Sequence, residues 1–400
     1  MNNVVPFVSV EVDNDQEKIA AKPSHDEILD MFVAMDDVEY EQCRHAKARE
    51  WGMRLSALDR IRKHAKVRQE YAQQTQQPEL DVDKTKHRLA YIWESEDILG
   101  LWLQSWDKVM AGEHQNAKLL YLIATSRLID SCMHVAIKGQ SSGGKSEIRR
   151  QVLEFFPPED IVTFTSMSER ALLYHKGDFD HKILSMAEAH GFEEQQMQDM
   201  LLRELMSEGK LVYRTVQKVA GQLVTAEIIK NGPVCFMVTT TKAALHAENE
   251  TRMISLDVDD SEEQTRRVLK KLAQTTGKNL RPDDSIHWDW QDFQRLLNKI
   301  GNKNVVVPFA DALATLIPPR ATRLRRDFSQ IIACIKSHTL IHCCRRMNNE
   351  KGELVADLDL DYVPVAELIG HITAEGAGIA VSPELLETID AVKVITVNIP

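Results

Sequence analysis

The stretch Gly139-Gln140-Ser141-Ser142-Gly143-Gly144-Lys145-Ser146 fits the pattern G-x-x-x-x-G-K-[ST] at every position. Ahead of it, Met133-His134-Val135-Ala136-Ile137 reads as a buried strand, and behind it Glu147 to Phe156 reads as a helix. A glycine-rich turn between strand and helix is the setting a phosphate-binding loop requires. Gly139, Gly143 and Gly144 can turn successive N–H groups inward at a helix N-terminus, which makes a nest for a phosphate. Gln140, Ser141 and Ser142 complete the loop. Lys145 brings a point charge to the β- and γ-phosphates, and the Ser146 hydroxyl is placed to ligate Mg²⁺. The expectation is a chain that binds a nucleoside triphosphate, with ATP and Mg²⁺ as cofactors.

Bulk composition sets limits around that loop. The 400 residues suggest two or three domains, and 43% hydrophobic with 27% charged residues is ordinary for a globular chain. No run approaches the ~18 apolar residues of a membrane span, and Met1-Asn2-Asn3 starts no signal peptide, so a cytoplasmic protein without a membrane partner is expected. Cys43, Cys132, Cys235, Cys334, Cys343 and Cys344 lack C-x-x-C spacing and read as reduced. His338 and His342 stand next to Cys343 and Cys344 on a helix; they could seed a zinc site, although adjacent cysteines are poor ligand geometry and the helix reads as core. A net charge of −11 argues against a broadly basic nucleic-acid coat but not against a local patch. One such patch runs from Arg44 to Glu70, with nine Lys/Arg against three Asp/Glu, and reads equally as a solvated helix face.

Residues 1–23 read as a disordered tail, and 24–70 as a basic helical module that opens on the capping box Ser24-x-x-Glu27. A linker at 71–88 contains Gln76-Gln77-Pro78, and a helical segment at 89–130 follows, in which Trp102 and Trp106 share one helix face and read as packing. The core domain spans 131–275. Its strands are Met133–Ile137, Asp160–Phe164, Lys182–Met186, Pro233–Val238 and Met253–Val258, with helices between them. Residues 276–400 read as a helical lid or C-terminal domain. The predicted fold is α/β, a three-layer P-loop core with a mostly parallel sheet and helical regions on both sides in sequence.

Further chemistry follows from strand ends. The third strand runs into Ala187-Glu188, and Glu188 sits where a water-positioning carboxylate belongs. Ala187 stands where a second acid would hold Mg²⁺ through water, so Asp178 or Asp180 is considered as a helper. The fourth strand ends in Thr239-Thr240-Thr241, which makes Thr240 or Thr241 a candidate γ-phosphate sensor. Arg252, just before the fifth strand, is a candidate arginine finger for a neighbouring subunit, or else a surface ion-pair residue. Arg326, with Arg323 second, can reach a bound nucleotide from the start of a lid helix. Alternating runs at 211–229 about a glycine-containing turn predict an inserted β-hairpin. Arg214 and Lys218 on its first arm are candidate nucleic-acid contacts, or else edge protection.

Together these features resemble an AAA+ ATPase of the pre-sensor-hairpin branch. More narrowly, the chain is similar to the helicase part of the primase–helicase proteins of phages, plasmids and integrated elements, distantly like the mini-chromosome-maintenance helicases. The tokens are Val38-Glu39-Tyr40-Glu41, Arg54-Leu55-Ser56-Ala57-Leu58-Asp59, the loop with its Phe155-Phe156-Pro157 exit, Phe236 to Thr241, Asp257 to Arg266, and Leu324-Arg325-Arg326-Asp327. The resemblance implies ATP hydrolysis in a homo-oligomeric ring, a hexamer, that moves on single-stranded or forked DNA during replication of a mobile element, with a separate primase as partner. Ala187 favours an alternative, an ATP-switched DNA-binding loader or scaffold with little unwinding.

Overall fold

The computed structural model describes residues 28, 31–32, 35, 37–59, 61–62, 80–165, 168, 170–188, 197–219, 222–242, 247–278, 285–316 and 324–375. The expected tail, the Ser24 capping box and Arg323 lie outside them. Two compact units divide between Glu79 and Leu80.

In the first unit, helix α1 (Asp37–Glu50) ends at a turn where Gly52 has φ +58, a left-handed conformation that costs a side-chain-bearing residue energy. Residues 55–59 and 61–62 are helical again. Phe32, Tyr40, Trp51 and Leu58 form a small apolar core, with the Phe32 and Tyr40 rings edge-on at 5.1 Å. The Tyr40 hydroxyl donates to Asp59 Oδ1 at 2.8 Å, joining the two helical stretches.

The second unit opens with helices α2 (Val82–Arg88), α3 (Ile98–Val109) and α4 (His114–Thr125). The expected helical segment is therefore broken. Asp97 accepts the Gly100 N–H at 2.7 Å and caps α3, while Gly112 (φ +66) and Glu113 (φ +56) turn the chain into α4. Trp102 and Trp106 stack at 5.3 Å, fully buried, and Trp102 packs edge-on against Phe155. The pair is packing.

The core follows as β1 (His134–Lys138), α5 (Lys145–Leu153), β2 (Ile161–Phe164), β3 (Lys182–Met186), α6 (Met197–Glu208), β4 (Lys210–Val219), β5 (Gln222–Asn231), β6 (Val234–Thr240), α7 (Ala247–Glu250) and β7 (Ile254–Asp257). After it come α8 (Glu262–Lys278), α9 (Ser285–Lys299), α10 (Leu324–Ile341) and α11 (Val363–Glu375). Five strands form one parallel sheet in the order β2-β3-β6-β1-β7. Side chains alternate between its faces, as the period of two demands. Val135, Ile137, Ile183, Cys235 and Met237 join the core that includes α3, α4, α5 and α9. Ala136, Leu184, Phe236 and Val238 join a second core under α6. This is the three-layer α/β arrangement expected, with helical regions on both sides of it in sequence.

The hairpin β4–β5 forms its own two-stranded sheet, ten residues per arm, slightly longer than the predicted 211–229. Its base is tied to the loop before β3. Asp178 accepts the Asn231 N–H at 3.0 Å, and the Lys230 ammonium donates to the carbonyls of His175 and Gly177.

Candidate nucleotide site

The phosphate loop leaves β1 at the C-terminal edge of the parallel sheet. At Gly139 (φ +149) a Cβ would lie 2.5 Å from Val258 Cγ2, so only glycine lets the β7 exit pass this close. The Gly143 N–H donates to Gln140 O at 3.1 Å, Ser142 has φ +68, and Gly144, at φ +88, is the residue that opens α5. The helix therefore starts at Lys145, earlier than the predicted Glu147, because the loop itself supplies the entry. Lys145 is buried, and its ammonium donates to the Gln140 carbonyl, holding the charge over the loop. Ser146 is exposed beside it. N–H groups, a cation and a hydroxyl converge at one helix N-terminus, and an anion is what satisfies them.

Strand order decides what stands next to the loop. Because β6 lies between β3 and β1, its threonines separate the loop from the exit of β3. Thr239 donates its hydroxyl to the Ala187 carbonyl, and the Thr240 Oγ1 accepts the Lys242 N–H at 3.0 Å. Thr240 is buried and Thr241 exposed. Glu188 follows β3 at the same edge and is exposed. Thr239, not singled out from the sequence, is the residue that locks β6 to the Glu188 segment; its place in a run of three threonines was the available signal.

Asp178 and Asp180 are a correction. Both precede β3 and therefore lie at the opposite, N-terminal edge of the sheet, where Asp178 is committed to Asn231 at 3.0 and 3.1 Å. A parallel strand of five residues separates them from the loop's edge, so neither can help hold Mg²⁺ there.

Beside the loop runs a groove of about 420 Å³, lined by residues 140–144, Met110, Glu113, Asp259, Asp260, Gln264 and the start of α8. The turn after α3 forms its far wall. Glu113 Oε1 accepts the Asp259 N–H at 2.9 Å, and the Gln264 Nε2 donates to Ala111 O at 2.8 Å. At Gly112 a Cβ would meet Gln264 Oε1 at 1.9 Å, so glycine is required for α8 to approach. The sequence reading did not find this groove, because its parts come from three separate segments.

The arginines assemble elsewhere. The His134 ring, at the N-terminal end of β1, bonds the Met206 carbonyl at 3.2 Å and accepts the Phe236 N–H at 3.3 Å. Burial, with Arg252 nearby, lowers its pKa to about 4, so the ring is neutral. Arg252 Nε donates to Ser207 Oγ at 2.8 Å, its pKa lowered by burial and by Arg326 and Arg203. Arg326 donates to Thr251, and Arg203 pairs with Asp199 at 2.7 Å and with Glu248. Three guanidinium groups thus gather at the edge opposite the chain's own loop. Arg326, expected over the nucleotide of its own chain, is placed with Arg252 instead.

A part-buried ion pair joins β1 to the segment before β7. Lys138, the residue before the loop, pairs with Glu250, two residues before Arg252, and Ser255 Oγ also donates to Glu250 at 3.3 Å. On the hairpin, Arg214 Nε pairs with its cross-strand partner Glu227 at 2.9 Å, on a face that also exposes Val212 and Val216. The Lys218 side chain lies outside the described residues.

His338, His342 and Asp361 cluster with ligand atoms within 4.8 Å, but each is already committed. Asp361 bonds His338 at 2.8 Å and Arg346 at 2.8 Å; burial works to raise its pKa, and these bonds outweigh it and hold the carboxyl well below its usual range. His342 bonds the His338 carbonyl at 3.0 Å and the Ile98 N–H at 3.3 Å, and burial lowers its pKa to about 3. Burial also pushes the Cys343 thiol up to about 12. A buried ion network with satisfied imidazoles is structural, and among the described residues neither Cys343 nor Cys344 joins the cluster.

The loop, its strand and its helix define a P-loop domain, a nucleotide-binding module of the nucleoside triphosphatase class. Residues 83–297, more than half of the chain, match the family described as the MTBMA_p00010 P-loop domain, and the chain belongs to that family. Among curated proteins none matches the chain. Among the described residues no helix is long and apolar enough to cross a membrane.

Proposed function

We propose that the chain is an ATP-driven DNA translocase or helicase subunit of the AAA+ kind, similar to the helicase part of mobile-element primase–helicases and working as a homo-oligomeric ring, a hexamer, in replication. One observation carries this reading: the loop lies at one edge of the sheet while Arg252, Arg326 and Arg203 cluster at the other. A chain built this way holds two half-sites, and a neighbour's arginines are needed to complete each loop. Lys145, Ser146 and the loop N–H groups bind the triphosphate. Bound Mg²⁺ would rest on Ser146 and supply charge neutralisation there. Glu188 orients the attacking water, Thr240 contacts the γ-phosphate, and Arg252 with Arg326 acts on the neighbour's nucleotide. The hairpin, rooted at the arginine edge, carries Arg214 and Lys218 towards DNA. The division into a helical module, linker, core and lid belongs to the same proposal.

The test is the steady-state ATPase rate, with and without single-stranded DNA, over protein concentrations that span assembly. Turnover that DNA stimulates and that rises cooperatively with concentration supports the ring motor. Ala187 favours a second reading, an ATP-switched loader or scaffold, and tight ATP binding with little turnover, indifferent to DNA, would select it.

A further inference from the structure

We propose that the groove beside the phosphate loop is a ribose-reading subsite, in which the Asp260 carboxylate, with Asp259 behind it, accepts hydrogen bonds from the sugar hydroxyls. The site then selects ribonucleoside over deoxyribonucleoside triphosphates. The inference rests on the loop being the seat of the triphosphate, and it concerns the part of the ligand that the loop motif does not address.

The groove has two chemically opposite ends. At the loop end the lining is residues 140–144, whose backbone N–H groups are donors, and Lys145 follows directly with its ammonium on the Gln140 carbonyl. At the other end the polar side chains are Glu113, Asp259, Asp260, Gln264 and Thr265, and neither lysine nor arginine is among the described lining residues. Such an end repels phosphate and takes a neutral, donor-rich group. Sugar hydroxyls are that group.

The acceptors differ in how far they are already engaged. Glu113 is taken up by Asn116 at 2.6 Å and by the Asp259 N–H. Asp259 gives one oxygen to the Ser261 N–H at 2.9 Å, which fixes the loop and leaves the second oxygen. Asp260 is exposed in the groove, so both its oxygens face solvent or ligand. Two adjacent hydroxyls match a carboxylate's two acceptor atoms. A second, independent feature marks the same wall: Gln264 is only 4% exposed, and its Oε1 has no hydrogen-bond partner. That oxygen is enclosed against Gly112, and an unmet acceptor at the groove's wall is satisfied by a donor that comes within its reach. Met110, Val268 and Leu269 supply the apolar surface on which a base can lie.

The experiment is equilibrium binding of ATP, 2′-deoxy-ATP, 3′-deoxy-ATP and inorganic tripolyphosphate to the full chain and to its Asp260→Ala, Asp260→Asn and Lys145→Ala variants. Thermal unfolding is recorded for each variant. The expected result is about 10-fold weaker binding of either deoxy analogue to the unmodified chain, the effect of one hydrogen bond to a charged group. In Asp260→Ala that preference collapses to within about 2-fold. Asp260→Asn, which keeps one acceptor, retains part of it, and tripolyphosphate binding stays the same in both. Equal binding of ATP and 2′-deoxy-ATP to the unmodified chain, or a preference that survives Asp260→Ala, overturns the subsite while leaving the phosphate site standing. Failure of ATP and tripolyphosphate alike to bind, with Lys145→Ala indistinguishable, overturns the phosphate site and the subsite together.

Discussion

The two edges of the central sheet are built by different means. The phosphate-loop edge is made largely of backbone: three glycines, a helix start and a turn hold N–H groups in place, and Lys145 adds its charge over them. The opposite edge is made of side chains, with Arg203, Arg252 and Arg326 held by Asp199, Glu248, Ser207 and Thr251 from separate segments. A backbone site tolerates little sequence change because each φ is dictated. A side-chain cluster reaches the same charge density from many sequences. The proposed function gives binding to the first edge and rate control to the second.

Three measurements can break that division. The largest effect is expected at the second edge, where Arg252→Ala should leave ATP affinity unchanged and reduce turnover by about 10³–10⁵-fold, the range of a transition-state arginine. Mixing it with Glu188→Gln subunits should restore activity, since each then supplies what its neighbour lacks; no rescue in the mixture would place Arg252 outside a neighbour's site. At the first edge, Lys145→Ala should weaken ATP binding about 10³-fold, as two charge-assisted contacts are lost, with little change in thermal stability. An unaltered affinity by calorimetry would remove the loop from the site.

The smallest effect lies at the second edge, in His134. Its pKa is about 4 in the folded chain against 6.5 for a free imidazole, so between these values the unfolded chain binds a proton that the folded chain refuses. The stability is complete above about pH 6.5 and is lost as pH falls towards 4, a contribution of roughly 3 kcal/mol. Urea midpoints at pH 7 and pH 5 should diverge less in His134→Gln than in the unmodified chain, and an identical divergence would mean that this ring is not the acid-sensitive element.

Legibility in the sequence followed locality. The strands, the loop and the hairpin were readable because each is written in consecutive residues with a period or a fixed spacing. The stacked Trp102 and Trp106 were readable for the same reason, as i and i+4 of one helix. The break at Gly112 was missed because a hydrophobic period runs on through a left-handed turn, and its cause, contact with Gln264, lies 152 positions away in sequence. Asp178 and Asp180 were misplaced although standing before β3 already puts them at the strand's N-terminal end; it is the parallel pairing through β6 to β1 that sets this end opposite the loop. Arg203 and Asp260 carry no local pattern, and only the fold brings them to Arg252 and to the loop.

The buried tryptophans have a practical consequence. Trp102 and Trp106 lie in van der Waals contact with Phe155, two residues beyond the helix that Lys145 begins, whereas Trp51 is the only indole in the first unit. Two stacked indoles in an apolar cage couple optically and emit at short wavelength, while an isolated one reports alone. Near-ultraviolet dichroism therefore follows the melting of the larger unit, and a Trp51→Phe chain separates the smaller unit's signal from it, without any added label.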